Sequence, residues 1–591
     1  MAMRPIRRLG AVAALIVLLV RPSDLSSCGP FFRAAVFFRA AIPEDEKAFF
    51  SGQLGILQPT YWRRYLAMAY RILQGIPLSP AEVASIPPRQ SVGWEPESQA
   101  AGKWKAARMK VPGTTEVVIE EYRSDEDWTH VKNCNDDAFL TAVATLNERI
   151  RQAGAGSAEV KDWLAAQDMV FANCKERRTT PDPAPPGNSP RVVADRNYQI
   201  AAADFYAGDY REAKSEFMEI AADKASPWHT MAPYLAVRAD LRAENYQEAQ
   251  AELKAILADP NMAPIHARAE ALRGFAEAKL DPEGWLASCT GRLLLRNSPT
   301  LGRDLVDYTF LYDKLHNEQF PNDDVSVWIR DFREGSENQL VKRWQQNPSL
   351  PWLIAALHYA KRDSDHSDEL IEAARQVRFD SPAWPTAKFH AIRLLNDKGK
   401  RREARVILNE ITSRLKGASV SMTNAFRAEQ LLLAGSFEEF LLAAPRTAAG
   451  EQLTDNSAEW PPSSENALTS MFDTDASVAF SYLPLNLWLA ATQDVRVPKR
   501  LRTLLAQSGF TRAAVLDDPI AADMAQLLRD LKPAYKADMD RYLAAPQESR
   551  RFEAVLWIGH HPEASIDVRA GLPRGLNNDT PDGSIDDYHD N

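Results

Sequence analysis

A pattern of residues occurs twice in this sequence, 36 positions apart. The first copy consists of Gly208, Tyr210, Ala213, Phe217 and Ile220, and the second of Glu244, Tyr246, Ala249, Leu253 and Ile256. Self-similarity at one fixed period predicts a solenoid, in which each repeat is a supersecondary unit that packs only on its neighbours.

Within each copy, the spacing predicts two antiparallel helices joined by a tight turn. Small residues at Ala201 and Ala213 allow the two helices to approach closely. Tyr210 begins the second helix, and Phe217 and Ile220 continue its buried face at helical spacing. We therefore expect one helical hairpin for each repeat.

The same period returns in a second part of the chain. The repeat positions there are Gly399, Ala404, Leu408 and Ile411 in one unit, and Gly435, Phe437, Phe440 and Ala444 in the next. Gly435 follows Gly399 by 36 residues, and Asp363 precedes Gly399 by 36 residues between two further apolar helices. The repeats thus form two blocks, 192–283 and 351–445.

This pattern resembles the tetratricopeptide repeat, in which Gly, Tyr, Ala, an aromatic residue and Ala follow one another at similar spacing. The residues that carry the resemblance are Gly208, Tyr210, Ala213, Phe217, Tyr246, Ala249, Leu253, Gly399, Ala404, Leu408, Gly435 and Phe437. The period is slightly longer than the usual repeat. Because tetratricopeptide proteins bind extended peptides or partner helices in a concave groove, the resemblance implies such a groove here.

Composition agrees with a folded helical protein. Of the 591 residues, 45 % are hydrophobic and 25 % charged, with a net charge of −10. The absence of a basic domain in the sequence argues against a nucleic-acid partner. Ala, Leu, Glu and Arg predominate over the alternating Val, Ile and Thr that are typical of strands. The predicted fold class is all-α, a tetratricopeptide-like solenoid with additional non-repeat helices.

The N-terminus predicts export. A basic start precedes the twelve-residue apolar run Leu9–Val20, which is too short to span a bilayer and fits a signal peptide over 1–27. The following Leu25-Ser26-Ser27-Cys28 resembles a bacterial lipobox, which implies a lipidated Cys28, although four residues separate it from the apolar run. Ordinary cleavage nearby is the alternative. The expected location is the bacterial periplasm, or the outer membrane or cell surface as a lipoprotein.

The residues after the lipobox carry a second resemblance. The stretch Cys28-Gly29-Pro30-Phe31-Phe32 is similar to the mature start of an uncharacterised family of secreted bacterial proteins with helical repeats, which implies no activity. The apolar stretch Phe31–Ala35, which overlaps this motif, is nearly repeated at Phe37–Ala41. We expect them to pack on the body of the protein or to lie at a membrane surface.

Cys134 and Cys174 flank a predicted helical hairpin. Asp136 opens the first helix and Gly154 lies in the turn that precedes the second. Because the two open ends of an antiparallel hairpin lie side by side, and because an exported chain meets an oxidising compartment, we predict a Cys134–Cys174 disulfide. The alternative is two reduced, buried thiols. With Cys28 lipidated, Cys289 would remain free.

The sequence divides into ten predicted segments. They are a signal peptide (1–27), an N-terminal helical and irregular region (28–130), the disulfide-stapled hairpin (131–175), a Pro-rich linker (176–191), the first repeat block (192–283), non-repeat helices (284–350), the second repeat block (351–445), a linker (446–466), a C-terminal helical region (467–562) and a disordered acidic tail (563–591).

The sequence contains no recognisable catalytic or cofactor-binding motif. Ser413 to Lys416 match an S-x-x-K pattern without its companion motifs, and His560-His561 are neighbours that point to different helix faces. The basic residues at Lys398–Arg402 indicate either an acidic partner or a solvated turn. We therefore predict no enzymatic activity, no cofactor and no metal.

Three functions fit these observations. The first is an exported scaffold, lipid-anchored if Cys28 is modified, that binds a protein or peptide partner in the cell envelope. The second is a glycan- or nutrient-binding surface lipoprotein, which an exposed group of aromatic side chains on one rim would favour. The third, a lytic enzyme on a helical superhelix, ranks last because no lysozyme-like domain is evident after Pro445.

Overall fold

A computed structural model of the chain describes residues 33–88, 98–124, 130–175, 178–316, 321–453 and 459–561 together with Val568. The predicted signal peptide, Cys28 and all of the 563–591 tail except Val568 lie outside these residues.

The chain is an all-α helical-repeat solenoid, as its sequence predicts, and 67 % of the described residues are helical. The helices are α1 Glu46–Phe50, α2 Arg63–Leu73, α3 Pro80–Ser85, α4 Gln99–Arg108, α5 Asp136–Ala153, α6 Ala158–Ala172, α7 Pro190–Ala207, α8 Tyr210–Ala222, α9 Ala232–Arg242, α10 Tyr246–Ala258, α11 His266–Leu280, α12 Pro282–Leu293, α13 Leu301–His316 and α14 Asp324–Glu334. They continue with α15 Glu337–Gln346, α16 Leu350–Tyr359, α17 Ser367–Gln376, α18 Trp384–Asp397, α19 Arg401–Thr412, α20 Val420–Leu433, α21 Phe437–Ala443, α22 Ser464–Ala467, α23 Thr474–Tyr482, α24 Leu485–Gln493, α25 Lys499–Val515, α26 Ile520–Leu531, α27 Lys536–Ala544 and α28 Gln547–His560.

Short antiparallel strands join distant parts of the chain. They are β1 Arg33–Val36, β2 Tyr122–Ser124, β3 His130–Lys132, β4 Pro445–Thr447, β5 Gly450–Leu453, β6 Glu459–Trp460 and β7 Ser470–Phe472. One sheet has the order β1-β5-β6, with Ala34 opposite Gln452, while β2 pairs with β3 and β4 with β7. The described residues of 446–466, which we expected to be a linker, include most of β4 and all of β5 and β6.

Helices that are consecutive in the chain pack on one another. This holds from α4 to α13, from α15 to α21 and from α24 to α28. Between the first two runs, α2 packs on α13, α14 and α16, so that an N-terminal helix lies within the stack. Burying one apolar stripe of each helix against its neighbours is what stabilises such a chain.

The burial and the backbone angles of the repeat residues account for the hairpins of the first block. Ala213, Ala249 and Leu253 are fully buried, and Phe217 is 2 % exposed. Each turn contains a residue in the left-handed region, with a φ of +92° at Gly208 and +60° at the equivalent Glu244. Tyr210 and Tyr246 are the first residues of the second helices, α8 and α10.

The second block follows the same rules. Gly399 has a φ of +74° in the turn between α18 and α19, and the small Ala404 and the larger Leu408 are buried on α19. Gly435 lies in the turn before α21, where its N–H donates to Glu439 at 2.7 Å. Phe437 begins α21 and stacks on Phe440.

A third hairpin extends the first block beyond the predicted boundary at 283. Helices α11 and α12 pack on each other, and Asp281 precedes α12 as Asp209 and Asn245 precede α8 and α10. These three polar residues are spaced 36 apart. The Asp281 carboxylate accepts from the N–H of Gly284 at 2.9 Å and caps the helix.

Cys134 and Cys174 lie at disulfide distance, with their Cα atoms 5.4 Å apart. The neighbouring Asn133 amide is buried and donates to three backbone carbonyl oxygens, those of Asn173, Cys174 and Tyr206. The disulfide and this amide together tie both open ends of the α5–α6 hairpin to the end of α7.

The predicted region 28–130 is shared between two hydrophobic cores. Residues 35–86 contribute to a core with residues of α12 to α20, whereas Ala100 to Val111 belong to the core of the disulfide-stapled hairpin and the first repeats. The apolar pair Phe37 and Phe38 is buried, so this stretch packs on the body of the protein. Among the described residues, no helix combines the length and apolar character needed to cross a bilayer.

Candidate binding cleft

The first helices of successive hairpins form a continuous face in each block, which we name the first-helix face. In the first block, this face carries Tyr198, Ala202 and Tyr206 of α7 and, 36 residues later, Tyr234, Arg238 and Arg242 of α9. Arg238 pairs with Asp137 at 3.1 Å, and Arg242 donates to Asn133 at 2.8 Å. These side chains reach across to the disulfide-stapled hairpin. The cavity beside Tyr198 and Tyr206 measures only about 30 Å³.

The first-helix face of the second block is covered by the chain's own N-terminal segment, residues 33–62. Thr386 of α18 accepts from the N–H of Leu57 at 2.9 Å and donates to the carbonyl of Gly55 at 3.0 Å. Farther along, Asn424 of α20 donates to the carbonyl of Phe37 at 2.9 Å. This face is therefore already filled by a peptide segment.

A cleft of about 540 Å³ opens where the N-terminal segment meets two turns of the second block. One turn joins α17 to α18 and includes Phe379 and Asp380, and the other joins α19 to α20 and includes Arg414 and Lys416. The two turns are equivalent, because Arg378 and Arg414 lie 36 residues apart. The volume is within the range of small-ligand sites.

An aromatic and cationic stack forms one rim of the cleft. The Phe379 side chain is 59 % exposed, and its ring meets the ring of Trp384 edge to face at 5.0 Å. The Arg414 guanidinium lies 4.5 Å from the centre of the Phe379 ring. This arrangement holds a large apolar side chain at the surface in a fixed position.

The carboxylates that line the cleft are engaged by other groups. Glu44 accepts from the N–H groups of Val420 and Ser421 at 3.0 and 2.8 Å, at the start of α20. Asp45 caps α1, and Asp380 forms a bidentate pair with Arg378. Only Asp380 among the three thus has a cationic partner, whereas Glu44 and Asp45 meet backbone N–H groups.

The cations of the cleft are less constrained. Lys416 is exposed, and no hydrogen bond or ion pair joins it to another described residue. Among the described residues, Arg414 forms an ion pair with the half-exposed Glu410 at 3.4 Å, and its guanidinium also lies over the Phe379 ring. The lining thus carries both signs of charge, with Glu44, Asp45 and Asp380 beside Arg414 and Lys416.

The floor of the cleft includes the Tyr61 side chain, which is 5 % exposed. Burial, followed by the nearby Glu459 carboxylate, raises the pKa of Tyr61 above its usual value. The phenol therefore stays neutral, and the floor adds no negative charge to the cleft.

None of the repeat residues predicted from the sequence lines the cleft. These side chains pack the hairpins or occupy their turns, while the cleft belongs to loops between hairpins and to the N-terminal segment. The disulfide also lies apart from it. The only sequence signal for the cleft is the spacing of Arg378 and Arg414, which matches the repeat period.

The other groups that the sequence singled out have structural partners. Lys398 and Lys400 both pair with Asp368, and Arg401 donates to the carbonyl of Leu432. His561 lies 3.2 Å from Asp538. These contacts fit a role in joining helices.

Cys289 is a buried thiol in the core, and burial, followed by nearby Asp307, raises its pKa to about 12. A thiol of this pKa is a poor nucleophile at neutral pH. Within the described ranges, no three His, Cys, Asp or Glu side chains cluster in a way that would hold a metal ion.

Comparison of the chain with models of protein families found no match, and comparisons with curated proteins and with solved structures found no significant similarity.

Proposed function

We propose that this protein is an exported, non-enzymatic scaffold of the bacterial cell envelope that binds a protein or peptide partner. We include in the proposal a tetratricopeptide-like origin of the repeats and attachment to a membrane through a lipidated Cys28. The observation that carries the binding role is the cleft of about 540 Å³ with the exposed Phe379 on its rim.

The position of the cleft follows from which surfaces of the two repeat blocks remain accessible. The resemblance to tetratricopeptide proteins implies a partner bound in a concave groove, and the first-helix face is the candidate for that groove. Here that face is bridged by Arg238 and Arg242 in the first block and covered by residues 33–62 in the second. The turns beside the covered face then become the place where a partner segment docks.

A glycan ligand is the second candidate. The edge-to-face pair of Phe379 and Trp384 places an aromatic side chain at the rim of a cleft, as sugar-binding sites require. Polar groups of the surrounding turns, such as the Ser381 hydroxyl, would contribute hydrogen bonds. This candidate keeps the same site and changes only the chemistry of the ligand.

The test is affinity capture of the tagged, full-length protein from detergent-solubilised envelopes of its host, followed by mass spectrometry. Phe379→Ala is compared with Phe552→Ala, because Phe552 is 63 % exposed on α28 and lies outside the cleft. We expect a stoichiometric protein that is recovered with wild type and Phe552→Ala but lost with Phe379→Ala. Recovery of oligosaccharide instead would select the glycan candidate, and equal recovery of the protein by all three would contradict the proposed site.

A further inference from the structure

We propose that the site that holds residues 37–42 also accepts residues 31–36, so that the N-terminal segment docks in two registers, six residues apart. We name it the hexapeptide site and define it by Ser421 and Asn424 of α20 and Glu459 of β6. This inference concerns the chain's own N-terminal segment and goes beyond the proposed function.

Two adjacent hexapeptides of the N-terminal segment are almost identical. Residues 31–36 read F-F-R-A-A-V, and residues 37–42 read F-F-R-A-A-I. They differ only at the last position, where Val36 and Ile42 are both β-branched. A contact that the second hexapeptide makes is therefore chemically available to the first. Such a repeat specifies the register weakly, because a shift by one hexapeptide restores the same side chains.

Glu459 recognises the centre of the docked hexapeptide. Its carboxylate accepts from the N–H groups of Ala40 and Ala41 at 2.8 and 3.2 Å and lies 3.4 Å from Nε of Arg39. The side chains of Arg39 and Glu459 are 4 % and 0 % exposed. Because a buried carboxylate without a counterion is strongly disfavoured, the hexapeptide site selects a cation at the third position. Arg33 holds that position in the first hexapeptide.

The remaining contacts use backbone groups and apolar side chains, which both hexapeptides provide. The Phe37 carbonyl accepts from Asn424 at 2.9 Å, and the N–H of Arg39 donates to the Ser421 hydroxyl at 2.9 Å. Phe37 and Ile42 are each 2 % exposed. None of these contacts depends on a group that the first hexapeptide lacks.

Strand β1 explains why the observed register predominates. Its residues pair with β5, and Val36 lies opposite Gly450. A shift by six residues would bring Pro30 to the position of Val36, and proline lacks the N–H that a strand residue donates. Residues 37–42 would then form a short loop whose ends lie close together. The shifted register would leave the edge of β5 open to a strand from a partner.

Photo-cross-linking of the full-length protein reads the register. p-Benzoylphenylalanine takes the place of Phe38 in one variant and of Phe32 in another, and mass spectrometry locates the cross-links. Because the N–H of Arg39 donates to Ser421, the preceding residue lies near α20, and Phe38 and Ser421 line the same cleft. The probe at Phe38 should therefore cross-link to α20 in the observed register, and the probe at Phe32 in the shifted one.

Arg39→Glu is the test variant, because it places a second carboxylate beside Glu459 and disfavours docking of residues 37–42. Arg402→Glu is the matched control, because Arg402 is exposed on α19 and the change in charge is the same. Circular dichroism establishes that both variants fold. Arg39→Gln replaces the test variant if the reversal of charge unfolds the chain.

In wild type and Arg402→Glu, we expect the probe at Phe32 to give at most about one-tenth of the α20 cross-link that the probe at Phe38 gives. In Arg39→Glu this order should reverse, and Arg33→Glu/Arg39→Glu should lose the cross-link from Phe32. Absence of the Phe32 cross-link in Arg39→Glu would overturn the proposal. A Phe32 cross-link of equal yield in the single and double variants would also overturn it, because the docking would not depend on Arg33.

Discussion

The side-chain amide of Asn424 donates a hydrogen bond of 2.9 Å to the backbone carbonyl of Phe37, across 387 positions of sequence. The same amide nitrogen donates to the carbonyl of Thr447 at 2.7 Å. One buried side chain thus joins the N-terminal segment, α20 and β4. The contact helps to hold the N-terminal segment on the first-helix face of the second block.

Removal of this amide should destabilise the protein. In Asn424→Ala, two buried carbonyl groups lose their donor, and we expect the free energy of unfolding to fall by about 2 kcal/mol or more. Urea denaturation measures the loss. Asn409→Ala is the control, because Asn409 is exposed on α19 and should change the free energy by less than about 0.5 kcal/mol. Equal effects of the two substitutions would contradict the assigned role.

The ion pair of Arg71 and Glu82 fixes the next part of the N-terminal region. Its N–O distance is 2.7 Å, and the two side chains are 0 % and 2 % exposed. Glu82 also accepts from the N–H of Ser298 at 2.9 Å, which ties the pair to the turn before α13. Glu82→Gln leaves the Arg71 charge buried without a counterion.

We expect Glu82→Gln to lower the stability by about 3 kcal/mol, as a shift in the urea midpoint. Glu372→Gln on α17 is the control, since Glu372 is exposed and, among the described residues, its carboxylate accepts only from Gln376 within the helix. A loss below about 1 kcal/mol in Glu82→Gln would show that the pair is solvated.

His390 should make the protein less stable in acid. Burial, then Arg393 and His358, lowers the pKa of His390 well below its usual value. Below pH of about 6.5, the unfolded chain binds a proton that the folded chain does not, so stability falls as pH falls. Between pH 7 and 5 we expect His390→Gln to lose up to about 2 kcal/mol less than wild type. Parallel losses in both proteins would refute the prediction.

Glu429 acts in the opposite direction. Burial raises its pKa to about 7, although the nearby Arg393 opposes this shift. Between the unfolded pKa of about 4.3 and pH 7, the folded chain holds a proton that the unfolded chain lacks, so stability rises as pH falls through this window. Glu429→Gln removes that gain. The stability of Glu429→Gln should therefore decrease more steeply than that of wild type from pH 7 to 5. A shallower decrease would contradict this prediction.

The Cys134–Cys174 pair should contribute to stability. The two residues are separated by 40 positions, and closing such a loop is worth about 4 kcal/mol in the chain-entropy model. We expect a reductant to lower the melting temperature of wild type to that of Cys134→Ala/Cys174→Ala. The reductant should leave the double variant unchanged. A melting temperature of wild type that does not respond to the reductant would contradict a structural disulfide.

The hairpins with the full repeat pattern could be predicted from the sequence because the residues that indicate them lie close together in the chain. Ala213 and Leu253 show helical spacing and a common period, and both are fully buried. The third hairpin was missed because Trp285 and Cys289 occupy the positions of a small and an aromatic residue. The feature of the repeat that the third hairpin keeps is the 36-residue spacing of Asp209, Asn245 and Asp281.

The cleft and the covered face were not predicted because they depend on contacts between remote residues. Nothing near Ala34 indicates that its partner is Gln452, and the polar, Pro-containing composition of 446–466 is typical of a linker. Phe379 and Lys416 lie in turns, where no periodic pattern marks them. Their proximity follows only once α17 to α20 are stacked.

Hydrogen–deuterium exchange of the full-length protein tests most directly whether residues 33–62 cover the second block. The account predicts that the N–H groups of Arg39, Ala40 and Leu57, which donate to Ser421, Glu459 and Thr386, exchange as slowly as those of α18 and α20. Rapid exchange throughout 33–62 beside a protected second block would contradict it, and would return the first-helix face to the surfaces open to a partner.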